Sequence, residues 1–579
     1  MVRRPFPLFV AASIAALAGF ASQAGAQSCT APPTAPSGAA PTGAQPGADS
    51  TDPSGLVIRT LPLPTDTPGD LAWDGEALWV ADWQRGELLR FDCGSGEVLQ
   101  RIAAPCYRPR GLAWGDGRLY IADDFEGMIY VFDPASGKTI TRYATPMKGG
   151  LGLAWDGSAL WLADNGDHSL QHLIPTDGTA LTYFPAPYPE PNGLAFDGTY
   201  IWVAQRTKDR IYMVDPKTGK AITSFDAPGP YPCGLAPAPG GRLWVADFAD
   251  GLVRLCAPRE TQGYQTSDWR EAEITLSYRL VNQGPGDIVD AVAHFAVPET
   301  KLENQEVLEA PVYEPGPPEF GSDQWGQAIA TFRNPRIPAG ETFRAGYRVR
   351  ARVGNLAYII IPEKVGRLED IPKDIRQAYT ADADRYQVSL PLVRETAAKI
   401  VGDEKNPYWI ARKIFDWVID KMEYNMVGGW DVPETLIKRG TGSCSEYAFL
   451  FIGLCRAAGL PVRYEAGVVV RGDDVCVDYA YHRWTEMYLP NYGWVPIDPQ
   501  GGDQPSTGGQ ADAIGRLPNR FFVTTHSGGN SNALSWNYNS FATWSLEGRC
   551  AVIEDSWATW RRAGEEGEPV APTGARPMP

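Results

Sequence analysis

Five segments of this chain repeat one another at a fixed step, and that step restricts the fold more than any other feature. Leu71, Leu112, Leu153, Leu194 and Leu235 stand 41 residues apart. Trp79, Tyr120, Trp161, Trp202 and Trp244 follow them in blocks such as Leu78-Trp79-Val80-Ala81-Asp82, and Pro64, Pro105, Pro146, Pro187 and Pro228 keep the step. Three columns in register are not a chance pattern. Within each unit, short alternating apolar runs are broken by dipeptides such as Asp74-Gly75, Asp156-Gly157 and Asp197-Gly198, a hairpin signal because glycine adopts the positive φ that a tight turn needs. Units of about 40 to 45 residues with four short strands each predict a β-propeller, here five-bladed over residues 56–258. Residues 57–64 align with the last strand of later units, and the fifth unit lacks that strand. The first strand is therefore expected to complete the last blade.

A chain of 579 residues has room for further domains. Residues 262–365 lose the repeat but keep strand-like runs at 272–281, 288–297, 328–332 and 343–353, which predicts a β-sandwich. From 366 to 562 the apolar period changes to that of helices. Asn406-Pro407 caps one helix with Ile410, Ile414, Trp417 and Val418 inward. A second begins near Cys444 and ends at Gly459 before Pro461, and strand signals follow from Ala466 to the 490s, giving an α+β domain.

The termini and composition bear on location and partners. Arg3-Arg4, the apolar stretch 8–20 and Ala24-Gly25-Ala26 read as a signal peptide over residues 1–26, so the mature chain is expected to be secreted or periplasmic. That stretch is shorter than the roughly 20 residues that span a bilayer, and no membrane span is expected. Residues 27–55 and 563–579 carry too few large apolar side chains to repay their ordering entropy, and read as a disordered linker and tail. A net charge of -17 argues against nucleic acid, which demands a basic face. Nine cysteines in an exported chain suggest disulfides among those not used for chemistry.

One cysteine is set apart by its neighbours. Gly440-Thr441-Gly442-Ser443-Cys444-Ser445-Glu446 places Cys444 where a glycine-rich loop turns into a helix. The free amides and dipole there favour a thiolate, below the ordinary pKa of about 8.5, and can receive an oxyanion. Downstream, 481–488 alternates as a strand, Pro490-Asn491-Tyr492-Gly493 turns, and 494–499 returns. This brings His482 and Asp498 to neighbouring strands, where a carboxylate can orient an imidazole that exchanges protons with the thiol.

At these residues the chain from about 370 to 500 resembles the transglutaminase-like superfamily, a branch of the papain-like thiol enzymes. The matching blocks are Gly442-Ser443-Cys444-Ser445-Glu446, Arg456-Ala457-Ala458-Gly459-Leu460-Pro461-Val462-Arg463, His482-Arg483-Trp484-Thr485-Glu486, and Gly493-Trp494 through Asp498-Pro499. The resemblance implies Cys444 as nucleophile, His482 as base and acid and Asp498 as orienter, with Trp430 or Tyr424 as candidates for a second oxyanion donor. The repeats are similar to short-repeat propellers of the NHL-like kind, which specifies a fold and no ligand.

The expectation is thus a secreted transglutaminase-like thiol enzyme without cofactor or metal. It would cleave or transfer amide acyl groups of peptide bonds or glutamine side chains, with hydrolysis favoured over cross-linking. Its propeller would hold a peptide or protein substrate, or a cell-wall or extracellular partner. The rival expectation is a non-catalytic extracytoplasmic scaffold that binds through the propeller. Asp82, Asp123, Asp164, Gln205 and Asp247 recur at one position; a calcium ring is one option, and hydrogen bonding within each blade is favoured because every unit repeats it. Glu446 and Glu486 are expected to bridge to Arg456 or Arg463.

Overall fold

The computed structural model describes residues 55–260, 263–426, 430–470 and 475–563; the expected signal peptide, and the expected linker and tail except Gly55 and Ala563, lie outside them. The repeat region forms five four-stranded antiparallel sheets that resemble propeller blades, one per unit. Their innermost strands, Pro68–Trp73, Pro109–Gly115, Gly150–Trp155, Pro191–Phe196 and Pro232–Ala238, lie side by side in that order, and the last lies against the first. The fifth sheet takes its outer strand from the start of the region, where Val57–Pro62 pairs antiparallel with Leu252–Cys256.

Each repeated residue type has a local task. In two units the turn aspartate binds the tryptophan that follows: Asp74 accepts from Trp79 Nε1 at 3.0 Å and Asp197 from Trp202 Nε1 at 2.8 Å, whereas Asp156 takes His172 Nε2 at 2.7 Å. The later aspartates bind within their own sheets. Asp82 accepts from Thr65, Thr67 and the Arg85 amide, and Asp247 from the amides of Tyr231 and Ala249. This is the hydrogen-bonding role, with the oxygens of Asp82 and Asp247 occupied by neighbouring donors; Asp164 accepts from the Gly166 amide at 2.7 Å through one oxygen, and its other oxygen meets no donor among the described residues.

One position breaks the repeat and joins it. Gly111, Gly152, Gly193 and Gly234 share a step at which a side chain does not fit; a Cβ on Gly152 would stand 2.1 Å from the Asn192 carbonyl oxygen. The first unit has Asp70 there, fully buried. Its carboxylate accepts from the amides of Leu153 and Leu235 at 2.9 Å and of Leu112 at 3.4 Å, so a single group satisfies donors from three other units. Burial pushes the carboxyl well above its ordinary range, and these amides pull it partly back.

The region after the ring differs from expectation. The two strands expected at 272–281 and 288–297 are one bent strand, Tyr264–Ala296. Its first part pairs with Thr342–Tyr358 and its second with Ala328–Ile337. Both parts contribute to one apolar cluster, which includes Ile274, Leu276, Ile288 and Phe295. Along its other edge runs Ser540–Arg562, from Phe295↔Ser540 to Ala272↔Arg562. The span 366–562 is therefore corrected at its end: residues 540–562 are hydrogen-bonded into the sheet that precedes the helices.

Between these strands lie the helices and the second sheet. Asn406 caps Pro407–Lys421 through the amides of Tyr408 and Trp409, with Ile410, Ile414 and Val418 buried and Trp417 partly so. The sheet runs Gly493–Ile497, His482–Leu489, Val462–Val469, Phe521–Ser527, all antiparallel. Its apolar core is continuous with the repeat region: Trp202, Ile222 and Phe225 belong to the same cluster as Tyr408, Phe415, Leu450 and Trp484. A short helix, Thr507–Asp512, docks on the fourth blade-like sheet. Asp512 ends that helix, where a carboxylate opposes the dipole, and four donors offset it: Arg210 at 2.7 Å, Tyr212 at 3.0 Å, and Tyr188 and Ser224 at 3.1 Å.

Two expected outcomes follow. Asp70→Ala leaves three buried amides without their acceptor and lowers unfolding stability by about 2 to 4 kcal/mol, measured by denaturant titration. Asp512→Ala costs roughly 2 kcal/mol and exposes the join between the repeats and the helices to limited proteolysis.

Candidate active site

Cys444 opens the helix Cys444–Ala457, and the sequence before it builds the start. The Ser443 amide donates to Glu446 at 2.7 Å, closing the turn on which the cysteine sits. Gly442 is required because a Cβ there would lie 2.7 Å from that of Glu446. Upstream, Tyr424 pairs in parallel with Gly442, and the Asn425 amide donates to the Gly442 carbonyl at 2.9 Å. Glu446 does not bridge to Arg456 or Arg463; it takes Arg439 at 2.9 Å and the Asp431 amide at 3.1 Å. Glu486 does bind Arg463, at 2.6 Å.

His482 begins the strand His482–Leu489, and Asp498 follows the last residue of its neighbour, in which Thr485 pairs with Ile497. Nε2 of His482 lies 2.8 Å from Oδ2 of Asp498. The other carboxylate oxygen accepts from the amides of Gln500 and Gly501 at 3.1 and 2.9 Å, which fixes its orientation. With Nε2 engaged by Asp498, Nδ1 is the ring nitrogen left to interact with Cys444. Trp484 stacks on the imidazole at 5.6 Å, and Phe521 meets it edge-on at the same distance. His482 and Trp484 are both buried.

The electrostatics separate this thiol from the others. Burial alone pushes Cys444 up, but the hydrogen bond and charge of His482, followed by the amide and charge of Arg483, bring it below the ordinary value. Burial pulls His482 down, yet the Asp498 carboxylate and then Cys444 raise it to about 10. The two shifts describe a thiolate beside an imidazolium. Burial pushes Cys93, Cys106, Cys233 and Cys455 up. These four and Cys550 are free thiols, contrary to the expected disulfides.

The oxyanion candidates part company. Tyr424 is 45 % exposed, on the strand beside the cysteine loop. The Trp430 ring instead covers the Arg483 guanidinium at 5.0 Å. Sequence reasoning missed two neighbours of the thiol, Arg483 and Tyr538. Arg483 stands within a quoted motif, whereas Tyr538 comes from a distant loop and carries no local signal; burial and the Cys444 charge raise its phenol. Glu465, Glu486 and His526 bring ligand-type atoms within 4.8 Å of one another. Each is already engaged: His526 by Glu465 and Glu299, Glu486 by Arg463, and Glu465 also by Trp484 Nε1.

These features define a thiol-enzyme type of fold, and a family model agrees. Residues 394–499 match the family model of the transglutaminase-like superfamily, and the three residues of the site fall within the match. An uncharacterised protein of Haemophilus influenzae is 31% identical over 169 residues, which cover 24% of this chain and 45% of that protein. Among solved structures, a protein assigned as a cysteine protease in Cytophaga hutchinsonii is 17% identical, covering 52% of this chain and 100% of that one at a TM-score of 0.36. Virginiamycin B lyase from Staphylococcus aureus is 16% identical, covering 34% and 87% at 0.25. Among the described residues, no helix is long and apolar enough to cross a membrane.

The pairing of His482 with Asp498 is testable by itself. By NMR titration the imidazole should lose its proton near pH 10, and Asp498→Asn should lower that midpoint by about one unit or more, because the attracting carboxylate is gone.

Proposed function

We propose that this chain is a secreted or periplasmic thiol hydrolase of amide bonds, acting through Cys444, His482 and Asp498. The observation that carries the reading is the meeting of a depressed thiol, a raised imidazole and a carboxylate 2.8 Å from that imidazole. The thiolate adds to the amide carbonyl, and the amides at the start of the helix receive the negative oxygen. The imidazolium then gives its proton to the departing nitrogen, leaving a thioester and a neutral imidazole. Water, deprotonated by His482, attacks the thioester, releases the carboxylate and restores the thiolate. An amine in place of water would give cross-linking by the same steps. An exported enzyme meets water as its most abundant acceptor, which favours hydrolysis.

In this reading the five sheets are a five-bladed propeller over 56–258, followed by a sandwich-like support from 262, with the thiol-enzyme region between its strands. The propeller holds a protein substrate or a cell-wall or extracellular partner. Its loops carry suitable groups: Tyr107 and Phe125 are 69% and 60% exposed and lie 5.3 Å apart, with Arg108 over the Phe125 ring at 5.6 Å. Rigid aromatics beside arginine are the usual anchors of recognition surfaces.

The experiment is turnover of a peptide library by the full chain, with mass spectrometry of Cys444 after a quenched reaction. Wild type should accumulate an acyl adduct on Cys444, and Cys444→Ala should lose both adduct and turnover, by about a thousandfold or more in rate. A gain of one dalton on a glutamine peptide marks hydrolysis, and incorporation of a labelled amine marks transfer. Undiminished turnover in Cys444→Ala would refute the proposal.

A further inference from the structure

The residue after the histidine is a buried cation with an unusual set of partners. Arg483 is fully buried. Other buried arginines among the described residues have ordinary partners: Arg412 has Asp416 at 2.9 Å, Arg516 has Asp226 at 2.5 Å, and Arg456 has the carbonyl oxygens of Val462, Ala381 and Gly528. The Arg483 side chain donates to a single carbonyl, that of Trp536, and its Nε and Nη1 meet no acceptor.

Four rings enclose it instead. Tyr538, Tyr464, Phe449 and Trp430 have their centroids 4.4, 4.6, 4.8 and 5.0 Å from the guanidinium carbon. They come from four places in the chain: a loop, a strand of the second sheet, the cysteine helix and the segment before the short helix Pro433–Arg439. Aromatic faces attract a cation through their quadrupole, yet carry no net charge. A carboxylate in this cage would have cancelled the field of the guanidinium; the rings hold it and leave the field intact.

The charges nearby show what the field is for. Thiolate, imidazolium and Asp498 carboxylate together carry one net negative charge, and such an excess is costly away from water. Arg483 brings the total to zero. Arg483 directly follows His482, and one ring of its cage, Phe449, stands on the helix that Cys444 opens.

We propose that Arg483 is the counter-charge that keeps Cys444 a thiolate, with the four-ring cage holding the guanidinium behind the His482 strand without neutralising it. Arg483 is a positioning residue, acting through the cysteine and through no contact with substrate. The inference rests on the reading of Cys444 as nucleophile. The titratable and charged groups facing this space are His482, with Asp498 behind it, and Tyr386, Tyr464 and Tyr538, with Arg456 beyond the first, Asp323 beyond the second and Asp478 beyond the last.

The test is the pH dependence of Cys444 alkylation by iodoacetamide, an uncharged reagent, in the full chain, read at the Cys444 peptide by mass spectrometry. Arg483→Met keeps much of the length and loses the charge; its midpoint should rise by about 1 to 2 pH units. Arg483→Lys should recover at least half of that rise. Trp430→Leu opens one wall to water and should raise the midpoint by a smaller amount, because the field weakens in a higher dielectric. A folded Arg483→Met chain, or a folded Trp430→Leu chain if the former does not fold, with the wild-type midpoint would overturn the proposal. A wild-type midpoint at about 8.5 would instead defeat the nucleophile reading beneath it.

Discussion

The antiparallel pairing of Tyr264–Ala296 with Ser540–Arg562 is the constraint on which the remaining architecture hangs. It ties the end of the chain to the strand that leaves the repeats, so everything between Tyr358 and Ser540 is an insertion with both ends fixed in one sheet. The insertion is joined to that sheet at further points. Leu356 and Ala357 pair with Leu517 and Arg516. The Gln305 side chain donates to the Val523 carbonyl at 2.9 Å and accepts from its amide at 2.7 Å, standing in for a strand at that edge. Loop closure over so many residues is entropically costly, and the length of the ladder offsets it through many cooperative bonds.

The repeats are built into the same frame. A tethered binding module would meet the helices through a small polar contact, but here Trp202, Ile222 and Phe225 share an apolar cluster with Tyr408 and Phe415. The join reaches the site through one loop. Asp498 stands at its start, held by the amides of Gln500 and Gly501; Asp503 accepts from Tyr447 of the cysteine helix at 2.7 Å; and Asp512 at its end is anchored by Arg210. The carboxylate that orients His482 therefore lies on a segment pinned by the cysteine helix at one point and by the fourth blade-like sheet at another. Precision of this kind is what a supporting shell gives a reactive site.

What the sequence reveals and conceals follows from how local each interaction is. The repeat was legible because a blade pairs neighbouring strands, and Asp-Gly turns and tryptophans recur within a few residues of their partners. Asp70 broke the glycine column in plain sight, yet its partners Leu112, Leu153 and Leu235 lie one, two and four units away, so its task showed only in three dimensions. The start of the cysteine helix was legible for the same local reason, since Ser443 and Glu446 are a turn apart. Residues 540–562 were not: they alternate weakly, expose much of their surface, and find their partner in a distant segment. Glu446 chose Arg439 over the more distant Arg456 and Arg463 because the helix start and the preceding helix bring those two together.

Arg483 is the hardest case, adjacent to His482 and invisible as a functional residue. A sequence shows a cation but not the four rings that hold it. It also shows a net charge of -17, which by itself would disfavour an anionic sulfur. Most of that charge is at the surface, where ions screen it within about 8 to 10 Å, while buried groups act through a medium of lower dielectric and are screened less. The protonation of Cys444 is thus decided by its immediate neighbours: the helix start, His482 and Arg483. The same chain pushes Cys455 up by burial alone, and Cys106 and Cys233 up by burial first and nearby carboxylates second. The difference lies in placing two cations beside one sulfur and enclosing one of them in groups that cannot cancel it.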